Sequence, residues 1–77
     1  MRFNITKTVD LHGVICPMNF VKAKAAIATI NSGEIIEFIL DEGEALLNVP
    51  RSLKEEGHKI LKVIPLDETF KVIVEKK

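Results

Sequence analysis

The sequence predicts an α+β fold, a two-layer α/β sandwich in which a mixed four-stranded sheet carries both of two helices on one face. Three observations carry this expectation. Apolar side chains recur with a period of two, or in dense β-branched runs, in four stretches, and at helical spacing in two others. The order of these stretches is β-α-β-α-β-β. The last two strands are joined only at Asp67-Glu68, a link of hairpin length, which makes them antiparallel neighbours. With four strands and two helices, the economical packing is one sheet covered on one side. A chain of 77 residues is expected to form one domain spanning residues 1–77.

The elements follow in order. From Ile5 to Leu11 the odd positions Ile5, Val9 and Leu11 are apolar and Thr6, Thr8 and Asp10 alternate with them, with Lys7 the exception. That is the pattern of a half-buried strand. His12-Gly13-Val14-Ile15 forms a short connection. Pro17 is expected as the first residue of a helix, where its missing N–H costs nothing. Phe20, Ala23, Ile27 and Ile30 then fall on one stripe, and Asn31-Ser32-Gly33 ends it. Ile35 to Leu40 is a second strand. Leu46, Val49 and Leu53 suggest a second helical seam, but Pro50 interrupts the hydrogen-bond ladder. The expectation there is an irregular turn followed by a helix from about Pro50 to Glu56. Lys59–Leu66 and Thr69–Glu75 read as the closing strands. If Ile36, Phe38 and Leu40 face the helices, then Ile35, Ile39 and Ile73 face away. They form either a docking patch or a face half-covered by lysine stems such as that of Lys71.

Composition excludes several classes of function. Eleven basic and eleven acidic side chains cancel, which leaves no basic footprint for direct nucleic-acid binding. No apolar run approaches the roughly 18 residues that cross a bilayer, so no membrane insertion is expected. The start, Met1-Arg2-Phe3-Asn4-Ile5, lacks a signal-peptide pattern, and a cytoplasmic location is expected. The single cysteine, Cys16, rules out an internal disulfide, a cysteine-cluster zinc site and an internal dithiol pair. Asp41, Glu42 and Glu44 lack the ligand series of a calcium loop. Neither a metal nor a cofactor is expected.

Cys16 is the residue that can carry chemistry. It directly precedes Pro17, at or beside the cap of the first helix, where unpaired amides and the positive end of the helix dipole are expected to gather. Both favour an anion, and cysteines so placed have thiol pKa values lowered from ~8.5 to roughly 3.5–7.5. The alternative is a small buried hydrophobe of the core. His12, four residues earlier, is a candidate base or positive neighbour. Lys22, Lys24 and Arg51 are candidates for a cationic rim. His58, after Gly57, reads as structural or exposed.

The run Asp10-Leu11-His12-Gly13-Val14-Ile15-Cys16-Pro17 resembles the signature of the TusA-like (SirA-type) sulfur-carrier family: an acidic residue, a glycine three later, then Cys-Pro. The likeness continues through Gly33-Glu34, Asp41-Glu42, Pro50 and Glu56-Gly57-His58. The resemblance implies a sulfur-relay protein whose Cys16 accepts sulfane sulfur as a persulfide and hands it on. It also implies that Asp10 anchors the loop, Gly13 permits its turn and Pro17 shapes the helix start. The family usually has a second proline two residues after the first, where this chain has Asn19. Asparagine restores a backbone N–H and adds a side-chain amide, a change suited to a different partner or sulfur species.

The implied partners are a cysteine desulfurase or rhodanese-type sulfur donor and a sulfur-acceptor protein, with the chain a monomer or weak dimer. Acceptors of the family serve tRNA thiolation, molybdenum-cofactor maturation and sulfur oxidation, and some relatives work beside a transporter for compounds such as thiosulfate. Two other readings compete. One is a non-catalytic interaction or regulatory module that uses the uncovered sheet face. The other is a small thiol enzyme, which the missing second thiol and the shallow pockets of so small a sandwich disfavour.

Overall fold

The helices of this chain lie over a sheet whose strand order is set by two helical crossovers and one hairpin. The computed structural model describes residues 4–15 and 17–77. Its elements are β1 (Ile5–Asp10), α1 (Met18–Ile27), β2 (Ile35–Asp41), α2 (Glu44–Glu55), β3 (Lys59–Pro65) and β4 (Thr69–Glu75), the α+β arrangement expected. The sheet order is β1-β2-β4-β3. Helix α1 carries the chain from β1 to a parallel neighbour, β2, whereas α2 carries it to the far edge. The hairpin then returns β4 between β2 and β3, antiparallel to both. Its turn is closed by the Leu66 N–H donating to the Thr69 carbonyl at 2.8 Å.

One core lies between the layers. Ile36, Phe38 and Leu40 of β2 and Val72 and Val74 of β4 meet Ala23 and Ile27 of α1 and Ala45, Val49 and Leu53 of α2. Leu11 and Ile30 close it, with Phe20 packed against it. The expected α1 stripe is therefore the buried one, although regular helix stops at Ile27 and Ile30 is reached by a further turn.

Three expectations are corrected. Pro17 stands at the N-cap of α1, not as its first helical residue, and its carbonyl accepts the Val21 N–H at 3.2 Å. Helix α2 is continuous through Pro50 and starts at Glu44, where a turn and then a helix from Pro50 were expected. An interior proline costs about 3 kcal/mol. Ala45, Val49 and Leu53 recur every fourth residue and are all buried, and each fully buried valine or leucine contributes roughly 1.5–3 kcal/mol. The buried face outweighs the lost hydrogen bond. Finally, a bulge between Ile5 and Lys7 shifts the start of β1, so that Ile5 lies beside Ile35 and not on the face of Val9.

The face away from the helices is better covered than its isoleucines suggest. Ile73 is only 4% exposed although no helix covers it. It sits in register between Glu37 and Lys62, and Lys71 reaches across to Glu37 at 3.7 Å. Long charged side chains lie over a central strand, as the lysine-stem reading anticipates.

Candidate functional site

The connection from β1 to α1 is built from its ends inward. Leu11 roots it: the side chain is buried in the core, and its N–H donates to the Ile39 carbonyl at 2.9 Å, extending the β1–β2 ladder by one residue. The chain then reverses. The Asp10 carboxylate, through Oδ1, accepts the His12 N–H at 2.9 Å, an Asx-type turn. Gly13 follows at φ +79°, in the left-handed region that side-chain-bearing residues rarely adopt. Its N–H donates to Asp41 Oδ2 at 2.8 Å, while His12 Nε2 lies 3.5 Å from Asp41 Oδ1. The Val14 N–H returns to the Leu11 carbonyl at 3.1 Å.

Sequence reasoning named Asp41 only in a rejected calcium loop and in the likeness to the family, and gave it no role at the site. Its position follows from topology. Parallel pairing brings the ends of β1 and β2 together, so the last residue of β2 faces the turn that follows β1. The signal lay in the parallel crossover itself, which puts both strand ends on one side of the sheet.

Cys16 lies outside the described residues, and its immediate neighbours define what surrounds that position in the chain. Ile15 is 80% exposed, Pro17 is exposed and Met18 is 48% exposed. Asn19 is the opposite, 1% exposed and the one buried polar residue among those described. Its backbone N–H, which a proline at this position would lack, donates to the Ile15 carbonyl at 3.2 Å. Its side-chain Oδ1 accepts the Phe20 N–H at 2.7 Å. The amides expected to be unpaired at the helix start are thus partly taken: those of Asn19 and Phe20 already have acceptors. The positive end of the α1 dipole remains as the general electrostatic feature of this end. Among the described residues the Asn19 Nδ2 has no partner.

Two depressions flank the connection. One, about 510 Å³, is lined by Asp10, His12, Ile39, Leu66, Asp67, Glu68 and Thr69. The other, about 260 Å³, lies between Val14, Ile15 and Asn19 on one side and Asp41, Glu42, Glu44 and Ala45 on the other. Both are open rather than enclosed, and the linings carry carboxylates rather than the cationic rim considered from sequence. Lys22 and Arg51 are exposed on α1 and α2 and line neither depression, and Lys24 is paired with Glu56 at 3.2 Å. His58 is half-buried, its Nδ1 accepting the Lys77 N–H at 3.1 Å. Burial pushes its pKa below the usual histidine value, an effect opposed by Glu56 and reinforced by Lys76 and Lys77. Among the described residues no group of three or more His, Cys, Asp or Glu is placed to hold a metal ion. Nor is any helix there long and apolar enough to cross a membrane.

Comparison with known proteins bears on the whole of this frame. A family model described as sulfurtransferase TusA matches residues 7–76. A protein of Archaeoglobus fulgidus named as a candidate sulfur carrier is 35% identical over 72 residues, covering 92% of this chain and 82% of its own. A like-named protein of Thermotoga maritima is 32% identical over 62 residues, covering 80% and 78%. Another, from Methanocaldococcus jannaschii, is 30% identical over 70 residues, covering 91% and 93%.

Proposed function

The chain belongs to the TusA sulfurtransferase family and is a sulfur carrier of that type, and from this premise we propose that it relays sulfane sulfur as a persulfide on Cys16. The observation that carries the reading is that a chain matched over residues 7–76 has one cysteine, placed immediately before the N-cap proline of α1. In the first step the Cys16 thiolate attacks the outer sulfur of a donor persulfide, forming a new S–S bond as the donor's S–S bond breaks. The donor leaves as a thiolate and Cys16 holds the outer sulfur. In the second step an acceptor thiolate attacks that outer sulfur, and the Cys16 thiolate departs. Both steps are exchanges between sulfurs, so electrons balance without an external oxidant, reductant, base or metal. A lone thiol suits this role, since a second one nearby would discharge the persulfide internally.

Several features support the assignment of neighbouring residues. Asp10 and Gly13 shape the turn before the cysteine, and Asp41 holds the Gly13 amide. Ile15, Pro17 and Met18 leave the flanks of Cys16 open to a macromolecule. The donor is a cysteine desulfurase or rhodanese-type protein, the acceptor is a second protein, and the exchange takes place in the cytoplasm, where thiols stay reduced. The competing interaction module would use the uncovered sheet face, but there Ile73 is sealed by its neighbours.

The test is direct. Incubated with polysulfide, the native chain gains mass in steps of about 32 Da on Cys16, whereas Cys16→Ala gains none and keeps its circular-dichroism spectrum. Loading retained in Cys16→Ala overturns the proposal.

A further inference from the structure

This formally neutral chain gathers carboxylates around the β1–α1 connection. Asp10, Asp67 and Glu68 line one depression beside the β1–α1 connection, and Asp41, Glu42 and Glu44 line the other. Among the described residues, His12 is the one lining residue able to carry positive charge, and no lysine or arginine lines either depression. Among the described residues Glu42 and Glu44 form no ion pair, unlike Glu37 and Glu56. Apolar side chains share this end: Ile15 and Met18 of the connection and α1, and Leu47, 64% exposed on the first turn of α2.

A residue on the floor of the smaller groove carries a donor that meets no acceptor among the described residues. That residue, Asn19, lines the groove and is almost fully buried. The amide orientation is fixed, because Oδ1 takes the Phe20 N–H, so the group left without a partner is Nδ2, which can only donate. A buried donor without an acceptor is disfavoured in the free protein and is relieved by a ligand that brings one.

We propose that the groove between the β1–α1 connection and the start of α2 is the docking site for a basic, partly apolar peptide segment of the protein that exchanges sulfur with Cys16. The segment's cationic side chains meet Glu42 and Glu44, its apolar side chains cover Ile15 and Leu47, and one of its backbone carbonyls accepts the Asn19 Nδ2–H, which is covered in the free chain, as the side chains over it part. The chemistry excludes a nucleic acid, whose phosphates the same carboxylates repel. The inference rests on the relay reading and adds to it the chemical class of the partner surface.

The probe is a capped pentapeptide alternating arginine and leucine, titrated into the isotope-labelled full chain and followed by NMR. Saturable shifts are expected at the Asn19 side-chain amide and at the backbone amides of Ile15, Glu42 and Ala45. Combining Glu42→Lys with Glu44→Lys weakens binding by about tenfold or more, and salt weakens binding to the native chain. The backbone spectrum of the double variant checks that it is folded. An unmoved Asn19 side-chain amide overturns the proposal, as do equal shifts at Glu34 and Glu75, which signify diffuse charge attraction. Shifts at the groove that track the chain's own concentration without peptide overturn it in favour of a second copy. The same preparation is loaded with polysulfide and weighed. Normal loading without peptide binding sinks the docking site alone, and binding without loading sinks the relay reading.

Discussion

The two ends of the sheet are finished differently. At the end where α1 and α2 stop, the chain is cross-tied. Lys76 donates from Nζ to the Ile30 carbonyl at 2.6 Å and from its backbone to the Glu34 carbonyl at 2.9 Å, and the Gly33 N–H returns to the Lys76 carbonyl at 2.9 Å. The Asn31 N–H is held by Glu34 at 2.7 Å, Lys24 by Glu56, and the Lys77 N–H by His58. At the end where the helices start, the described residues set carboxylates around both depressions with His12 as their one ionisable base, Ile15 and Leu47 stand in solvent, and a buried amide lacks an acceptor among those residues. One end is tied together by hydrogen bonds in the free chain, and at the other a buried donor has no acceptor among the described residues.

The sharpest test of that contrast lies within the connection itself. Leu11 and Ile15 are four residues apart, but the first is buried in the core and the second is open to solvent. Leu11→Ala is expected to cost about 2–5 kcal/mol of folding stability in a denaturant titration. Ile15→Ala is expected to stay within about 0.5 kcal/mol while weakening exchange with a protein donor. If Ile15→Ala proved as destabilising as Leu11→Ala, the exposed end would be structural after all.

A smaller effect compares two glycines. Gly13 has φ +79° and Gly33 φ +84°, and a methyl group added at either meets nothing within 4 Å. Alanine at each therefore costs backbone strain alone, about 1–2 kcal/mol. The two variants should melt alike, yet only Gly13→Ala, which disturbs the turn held by Asp41, should slow sulfur transfer from a protein donor. Equal slowing by Gly33→Ala would mean that the ends are coupled through the sheet.

Much of this arrangement was legible in the residues, for reasons that also explain the rest. The α1 stripe, the alternation in β2 and the two-residue hairpin link are local patterns, and local patterns survive into the fold. Pro50 is a local signal that loses, because the row Ala45, Val49 and Leu53 gains its burial only once the sheet is beneath it. The bulge after Ile5 is likewise set by pairing with β2, not by β1 alone. At the site, Cys16, Gly13 and Asp10 stand in one run, so the resemblance found them together. Asp41 joins them across 28 positions through a parallel ladder, a contact no window of sequence contains. Asn19 was noticed as a departure from the family, but its burial and idle Nδ2 emerge only from packing.

The smallest predicted effect belongs to the tied end. Burial holds the His58 pKa below its ordinary value of 6.5, so the folded chain binds fewer protons there than the unfolded chain. The stability linked to this group is present above the unfolded value and is lost as pH falls through it toward the lower folded one. His58→Gln removes that proton linkage. Between about pH 7.5 and pH 5, the native chain should therefore lose more stability than the variant, read as the difference between their denaturant midpoints. A steeper loss in His58→Gln would reverse the sign and show that protonated His58 is welcomed in the fold, with Glu56 rather than burial governing the group.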